Sequence, residues 1–218
     1  MCMNARIPAP SAHASAAETC SVRLIDCMRV PPEPWANGGG TTRTLARSPE
    51  QHGATPWRVS IATLVGPAKF SQFAGYDRTL LPIDDNAIEL HSQDGQLLAR
   101  GGEPVHFSGD LHVWVVNLPA RPMNVLNVMC KRGAYRARVS VAAHSLHVTP
   151  APTHLLVSLA GQWNVESALL RGVTLAPLNA LWVSGRPEEL ALRPSGPGAQ
   201  LASIAIEPVT AETQGLLR

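Results

Sequence analysis

The chain has little charge. Asp, Glu, Lys and Arg make up 16% of its 218 residues, and the formal net charge is only +2. That balance gives no nucleic-acid surface. No apolar run approaches the ~20 residues of a membrane span. The segment Met1 to Thr19 lacks the apolar stretch of a signal peptide, so residues 1–20 read as a disordered leader ahead of a cytoplasmic protein. The four cysteines, Cys2, Cys20, Cys27 and Cys130, contain no CxxC pair, and reduced thiols are expected rather than a disulfide framework or a zinc cluster. Lysine is nearly absent: Lys69 and Lys131 stand alone among arginines. Arginine grips carboxylates bidentately, although GC-rich coding produces the same bias.

Catalytic signatures are missing as well. There is no Gly-x-Ser-x-Gly elbow, and Cys130 falls inside a predicted buried strand. Asp84-Asp85 reads as a turn and Glu188-Glu189 as a solvated loop, so no carboxylate pair has an acid–base context. The eight histidines form no His-x-His pair. Glu89 and His91 share a strand face, but two ligands do not make a metal site. Scattered packing or surface histidines are expected, with neither metal nor other cofactor.

What remains is a succession of strand signals separated by Gly, Pro, Asn and Asp. Trp57–Leu64, Tyr135–Ala142 and Trp163–Glu166 are among the clearest, with shorter candidates such as Leu80–Asp84 and Val125–Cys130 between them. Nineteen prolines agree with an all-β chain, since proline is poorly tolerated inside helices. A faint repeat is also present. Leu97-Leu98-Ala99-Arg100-Gly101, leading to Val105-His106-Phe107 and Val113-Trp114, is echoed by Leu169-Leu170-Arg171-Gly172, leading to Leu175-Ala176 and Leu181-Trp182. A duplicated small β-barrel accounts for it.

Three segments carry candidate chemistry. In Pro34-Trp35-Ala36-Asn37-Gly38-Gly39-Gly40-Thr41-Thr42 the glycines could turn successive N–H groups toward an anion, while Trp35 covers an apolar ligand face. A tight turn with a buried Trp explains the same residues. On the strand from Trp57, alternation puts Trp57, Val59 and Ile61 on a core face, and Arg58, Ser60 and Ala62 on the other. That second face either meets solvent or lines an interior open to a carboxylate. The long aromatic loop Gly66 to Leu80 ends in Asp77-Arg78, whose side chains point to opposite sides of extended backbone. A structural Asp77 and a pocket-directed or loop-anchoring Arg78 are expected.

These segments, with Phe107-x-Gly109-Asp110 and Leu126-Asn127-Val128-Met129-Cys130-Lys131-Arg132-Gly133, occur in order over residues 34–133, and the chain resembles the HutD/Ves family. The resemblance implies a bicupin: two small double-stranded β-helix (jelly-roll) barrels in one chain. The first is expected over residues 21–142 and the second, smaller one over 143–210. It implies a non-catalytic, metal-free protein that binds a small carboxylate of the urocanate or formylglutamate class and regulates histidine catabolism. It places the pocket in the first barrel, with Trp35, Asn37, Gly38, Gly39, Gly40, Arg58, Ser60, Arg78 and Asn127 as binding residues. The chain departs from the family pattern in three places: Ala68 and Lys69 intervene before Phe70 where Gly-Pro-Phe-Ser is usual, Val125 stands where an Asp is usual, and Lys131 where an Arg is usual. The alternatives are a cupin enzyme (isomerase, hydrolase or metal-dependent oxygenase) and an interaction module that forms a homodimer.

Overall fold

Short alternating apolar segments, punctuated by Gly and Pro, fold here into antiparallel strands alone. The computed structural model describes residues 21–84, 87–116, 118, 121–185 and 188–210; nineteen strands and no helix lie among them. The expected leader, residues 1–20, lies outside the described residues, as do Cys2 and Cys20. Cys27 and Cys130 are free and buried, and burial pushes both thiols up to about 12. Among the described residues no helix is long and apolar enough to cross a membrane.

Three strands come first: β1 (Ser21–Asp26), β2 (Glu33–Pro34) and β3 (Gly40–Arg47). A run of eight follows: β4 (Trp57–Leu64), β5 (Ala68–Lys69), β6 (Tyr76–Pro82), β7 (Ile88–Ser92), β8 (Gly95–Ala99), β9 (Val105–Ser108), β10 (Val113–Val115) and β11 (Met123–Lys131). A second run of eight completes the chain: β12 (Tyr135–Ala142), β13 (Leu146–Val148), β14 (Thr153–Ala160), β15 (Trp163–Glu166), β16 (Val173–Leu175), β17 (Asn179–Ser184), β18 (Leu190–Pro194) and β19 (Gln200–Pro208).

The two runs repeat one topology. β4-β11-β6-β9 and β5-β10-β7-β8 in the first are matched by β12-β19-β14-β17 and β13-β18-β15-β16 in the second. β3 and β2 extend the first large sheet beyond β4, and β1 extends the second beyond β17. As paired, all four sheets are open, not closed barrels. Two strands expected before the boundary at residue 142 hydrogen-bond in the second half: β1 pairs with β17 and β12 with β19. Local pattern identifies a strand but not a partner distant in sequence. The duplication is present in the strand order, but the residues first matched are not equivalent. Trp114 lies on β10 and Trp182 on β17, whose counterpart in the first run is β9.

Strand period sorts the side chains into three cores. Val59, Ile61, Leu126 and Val128 face Leu155, Val157 and Ile204 where the two large sheets meet. Leu64, Leu80 and Val125 point the other way, toward Ile88, Leu90 and Val113 of the first small sheet. Leu156, Leu181 and Leu201 do the same toward Trp163, Val165 and Leu192 of the second. The large-sheet strands are therefore covered on both faces, which is why β14 reads Leu155-Leu156-Val157 without a polar break. Full burial of one such side chain stabilises by about 1.5–3 kcal/mol.

Candidate anion-binding site

Register across β4, β11 and β6 fixes which side chains meet. Arg58 pairs with Met129, and Met129 with Arg78. One step inward Ser60 pairs with Asn127, and Asn127 with Leu80; beyond them Ala62 pairs with Val125. This face turns away from Trp57, Val59 and Ile61 and floors a cavity of about 390 Å³. β2 and the glycine loop form one wall through Glu33, Trp35 and Asn37. β5 and the loop after it form another through Lys69, Phe70, Ser71 and Phe73.

Arg78 is only 6% exposed. Its Nη1 donates to the Ser71 carbonyl oxygen and its Nη2 to Asn127 Oδ1, both at 3.3 Å, while Nε has no partner. The guanidinium lies 5.4, 5.5 and 5.0 Å from the ring centroids of Phe70, Phe73 and Phe107, which are all the phenylalanines of the chain. Arg58 lies 5.5 Å from the Phe73 ring, and its Nη2 donates to Met129 Sδ at 3.5 Å. Among the described residues no carboxylate forms an ion pair with either arginine. Burial, and then the Arg58 charge, hold the Arg78 pKa down to about 10. Burial lowers Arg58 too, against the pull of Glu33. Both remain cations at neutral pH. Two desolvated like charges on one cavity, with no carboxylate of the described residues paired to either, are costly as they stand; an anion held between them offsets that cost.

The neighbours divide into wall and support. Among the described residues the Asn127 Nδ2 group finds no acceptor, and it is left for the cavity. Trp35 presents its ring, packed edge-on to Phe70 at 5.8 Å, but its indole N–H is taken by Thr42 Oγ1 at 2.8 Å. Asn37 is a staple: Nδ2 donates to the Lys69 carbonyl oxygen at 3.0 Å, and Oδ1 accepts the Gly39 N–H at 3.1 Å. The Gly38 N–H donates to the Trp35 carbonyl oxygen. The glycine loop is therefore a tight turn whose Gly38 and Gly39 amides are committed. A Cβ on Gly39 would strike Ala68, and one on Gly40 the Thr63 carbonyl oxygen. Asp77 turns away from Arg78 and takes Arg132 Nε at 2.9 Å, while Arg132 Nη1 reaches Asp110 at 3.0 Å. This clamp fixes the far end of the aromatic loop, together with the Gly75 N–H donated to Asp110 at 2.8 Å.

The structure thus brings Trp35, Asn37, Arg58, Arg78 and Asn127 onto one cavity. It leaves Gly38, Gly39, Gly40 and Ser60 off the wall, Ser60 because its buried Oγ sits in the sheet without a partner. Sequence reasoning missed Glu33 and Lys69. Phe70 and Phe73 read in the sequence only as part of the aromatic loop Gly66 to Leu80. Among the described residues no group of three or more His, Cys, Asp or Glu could hold a metal ion.

Fold and site together define the class: an all-β, cupin-like protein with an arginine-lined cavity. A solved cupin 2 conserved barrel domain protein from Leptotrichia buccalis matches 89% of this chain and 100% of its own, at TM-score 0.53 and 10% identity. The chain belongs to the HutD family, which it matches over residues 28–202. Protein Ves of Citrobacter koseri is 27% identical over 177 residues, covering 80% of this chain and 90% of that relative. The structure of HutD from Pseudomonas fluorescens SBW25 matches at TM-score 0.75 and 24% identity, over 87% of this chain and 100% of that one.

Proposed function

We propose that the protein binds a small carboxylate metabolite of the urocanate or formylglutamate class in the first-half cavity, without metal or turnover, and serves as a regulatory factor in histidine catabolism. The two runs of strands act as two cupin units of a bicupin. One observation carries the binding reading: Arg58 and Arg78 flank Met129 on a cavity wall, buried or half-buried, and no carboxylate among the described residues forms an ion pair with either. The ligand carboxylate lies against the two guanidiniums. Asn127 Nδ2 adds a directional hydrogen bond, and the rings of Trp35 and Phe70 cover the apolar part of the ligand. The Gly38 and Gly39 amides take no share, because both already donate within the turn. Val125 makes the floor apolar where the family pattern has a carboxylate; Glu33 is the acidic residue on the wall, and it acts on Arg58 through its charge without forming an ion pair. The link to histidine catabolism comes from family membership.

Isothermal titration with urocanate and with formylglutamate tests the reading. Saturable heat with one of them, lost in Arg58→Ala, is the expected result. No heat from either at millimolar ligand would remove it.

A further inference from the structure

The arginine row has a counterpart in the other half of the molecule. β12, β19 and β14 occupy in the second half the places of β4, β11 and β6. Arg138 pairs with Ala205 and Ala205 with His154, as Arg58 pairs with Met129 and Met129 with Arg78. One step inward, Ser140, Ser203 and Leu156 stand in register where Ser60, Asn127 and Leu80 stand. The strands agree in sequence too: Arg58-Val59-Ser60-Ile61-Ala62 against Arg138-Val139-Ser140-Val141-Ala142.

The row differs in charge at two places. His154, 3% exposed, replaces the permanent cation Arg78; burial, and then Arg138, hold its pKa down to about 4, so it is neutral at pH 7. Two residues beyond Ala205 on β19 stands Glu207; two beyond Met129 on β11 stands Lys131. Glu207 accepts Arg138 Nη2 at 2.7 Å and Arg136 Nη2 at 3.0 Å, one carboxylate oxygen for each guanidinium. Its side chain is 21% exposed, while those of Arg136 and Arg138 are 48% and 60% exposed. The second half therefore repeats the frame of the anion site, with a carboxylate of the chain already seated on its arginines.

We propose that the second half is a self-occupied carboxylate site: Glu207 is its resident anion, and once Glu207 is removed the Arg136–Arg138 pair takes a free carboxylate of acetate or formate size. The exposed outer sides of the two arginines leave the ion a path from solvent. The proposal is independent of ligand binding in the first half, because its residues lie on β12 and β19 and the first-half cavity is common to all the proteins compared.

Chemical rescue tests it. Melting temperatures of wild type, Glu207→Ala and the double variant Arg138→Ala/Glu207→Ala are compared in sodium acetate, sodium formate and sodium chloride at matched ionic strength. All three proteins keep the first-half cavity, so any response there is common to them. Glu207→Ala is expected to gain more melting temperature from acetate and formate, relative to chloride, than either of the other two. Equal carboxylate responses in all three would overturn the proposal. If Glu207→Ala does not fold, the Glu207 carboxyl signal of folded wild type and Arg138→Ala is titrated by NMR. An upward shift of its midpoint in Arg138→Ala supports the resident contact, and an unchanged midpoint refutes it.

Discussion

Arg58, Met129 and Arg78 cross three strands in the first half; Arg138, Ala205 and His154 cross the same three places in the second. One row borders a cavity of about 390 Å³ and carries two cations that no carboxylate among the described residues pairs with. The other carries one arginine, a neutral imidazole and a carboxylate that already occupies the arginine. Interior packing differs in the same sense. All three phenylalanines gather around Arg78, so its site is built from aromatic faces and a guanidinium. The second half instead packs Trp163, Leu175, Leu181 and Leu192 into a closed apolar core. A duplicated scaffold can thus leave one copy open for an external anion and close the other with an internal one.

The comparison can be broken most forcefully in the cores. Leu156→Ala should cost about 2–5 kcal/mol in chemical denaturation, since it empties a closed core. The matched Leu80→Ala should cost less, because Leu80 already borders the cavity. Equal losses would mean that the two interiors are packed alike. Next comes ligand affinity. Arg58→Ala should weaken carboxylate binding by about 1.5–3 kcal/mol, read by titration, if it makes a charge-assisted bond. Arg138→Ala, its counterpart, should leave the affinity unchanged.

A smaller effect sharpens the contrast between Arg78 and His154. The unfolded chain takes up a proton near the ordinary histidine value of 6.5, whereas folded His154 does so only near 4. The folded state binds fewer protons in that window, so stability falls as pH drops from 6.5 toward 4. The groups acting on the ring are Arg138, which lowers its pKa, and Glu207, which raises it. Between pH 6.5 and 5 the loss should be about 2 kcal/mol. His154→Gln should flatten that slope in denaturation curves measured across the window. A slope unchanged by the substitution would show that His154 is not held neutral.

Much of the fold was legible in the sequence. Trp57–Leu64, Tyr135–Ala142 and Trp163–Glu166 are strands at the residues that alternation gave. Tyr76–Pro82 begins earlier than expected, because Tyr76, Asp77 and Arg78 carry no apolar alternation. β5 and β13 are two and three residues long, too short to show a period. The duplication was visible through the wrong residues: matching Trp114 to Trp182 slipped the repeat by one strand. The better signature, Arg58 to Ala62 against Arg138 to Ala142, lies wholly inside the expected first barrel, residues 21–142.

The site was legible where side-chain direction follows from strand period, as for Arg58, and where a motif pointed to it, as for Asn127. It was not legible where the deciding fact is a partner. Nothing in Asn37-Gly38-Gly39-Gly40 says that Asn37 accepts the Gly39 N–H and leaves no amide nest for an anion. Nor does sequence show that Phe107, on β9 beside Arg78, completes the aromatic surround.

The most direct test of the central claim is a crystal structure of the protein soaked or grown with the carboxylate that titrates. The account predicts a carboxylate within hydrogen-bond distance of Arg58 or Arg78, with Asn127 Nδ2 donating to the ligand and Glu207 still on Arg138. A ligand bound elsewhere, with Arg58 and Arg78 untouched, would contradict it.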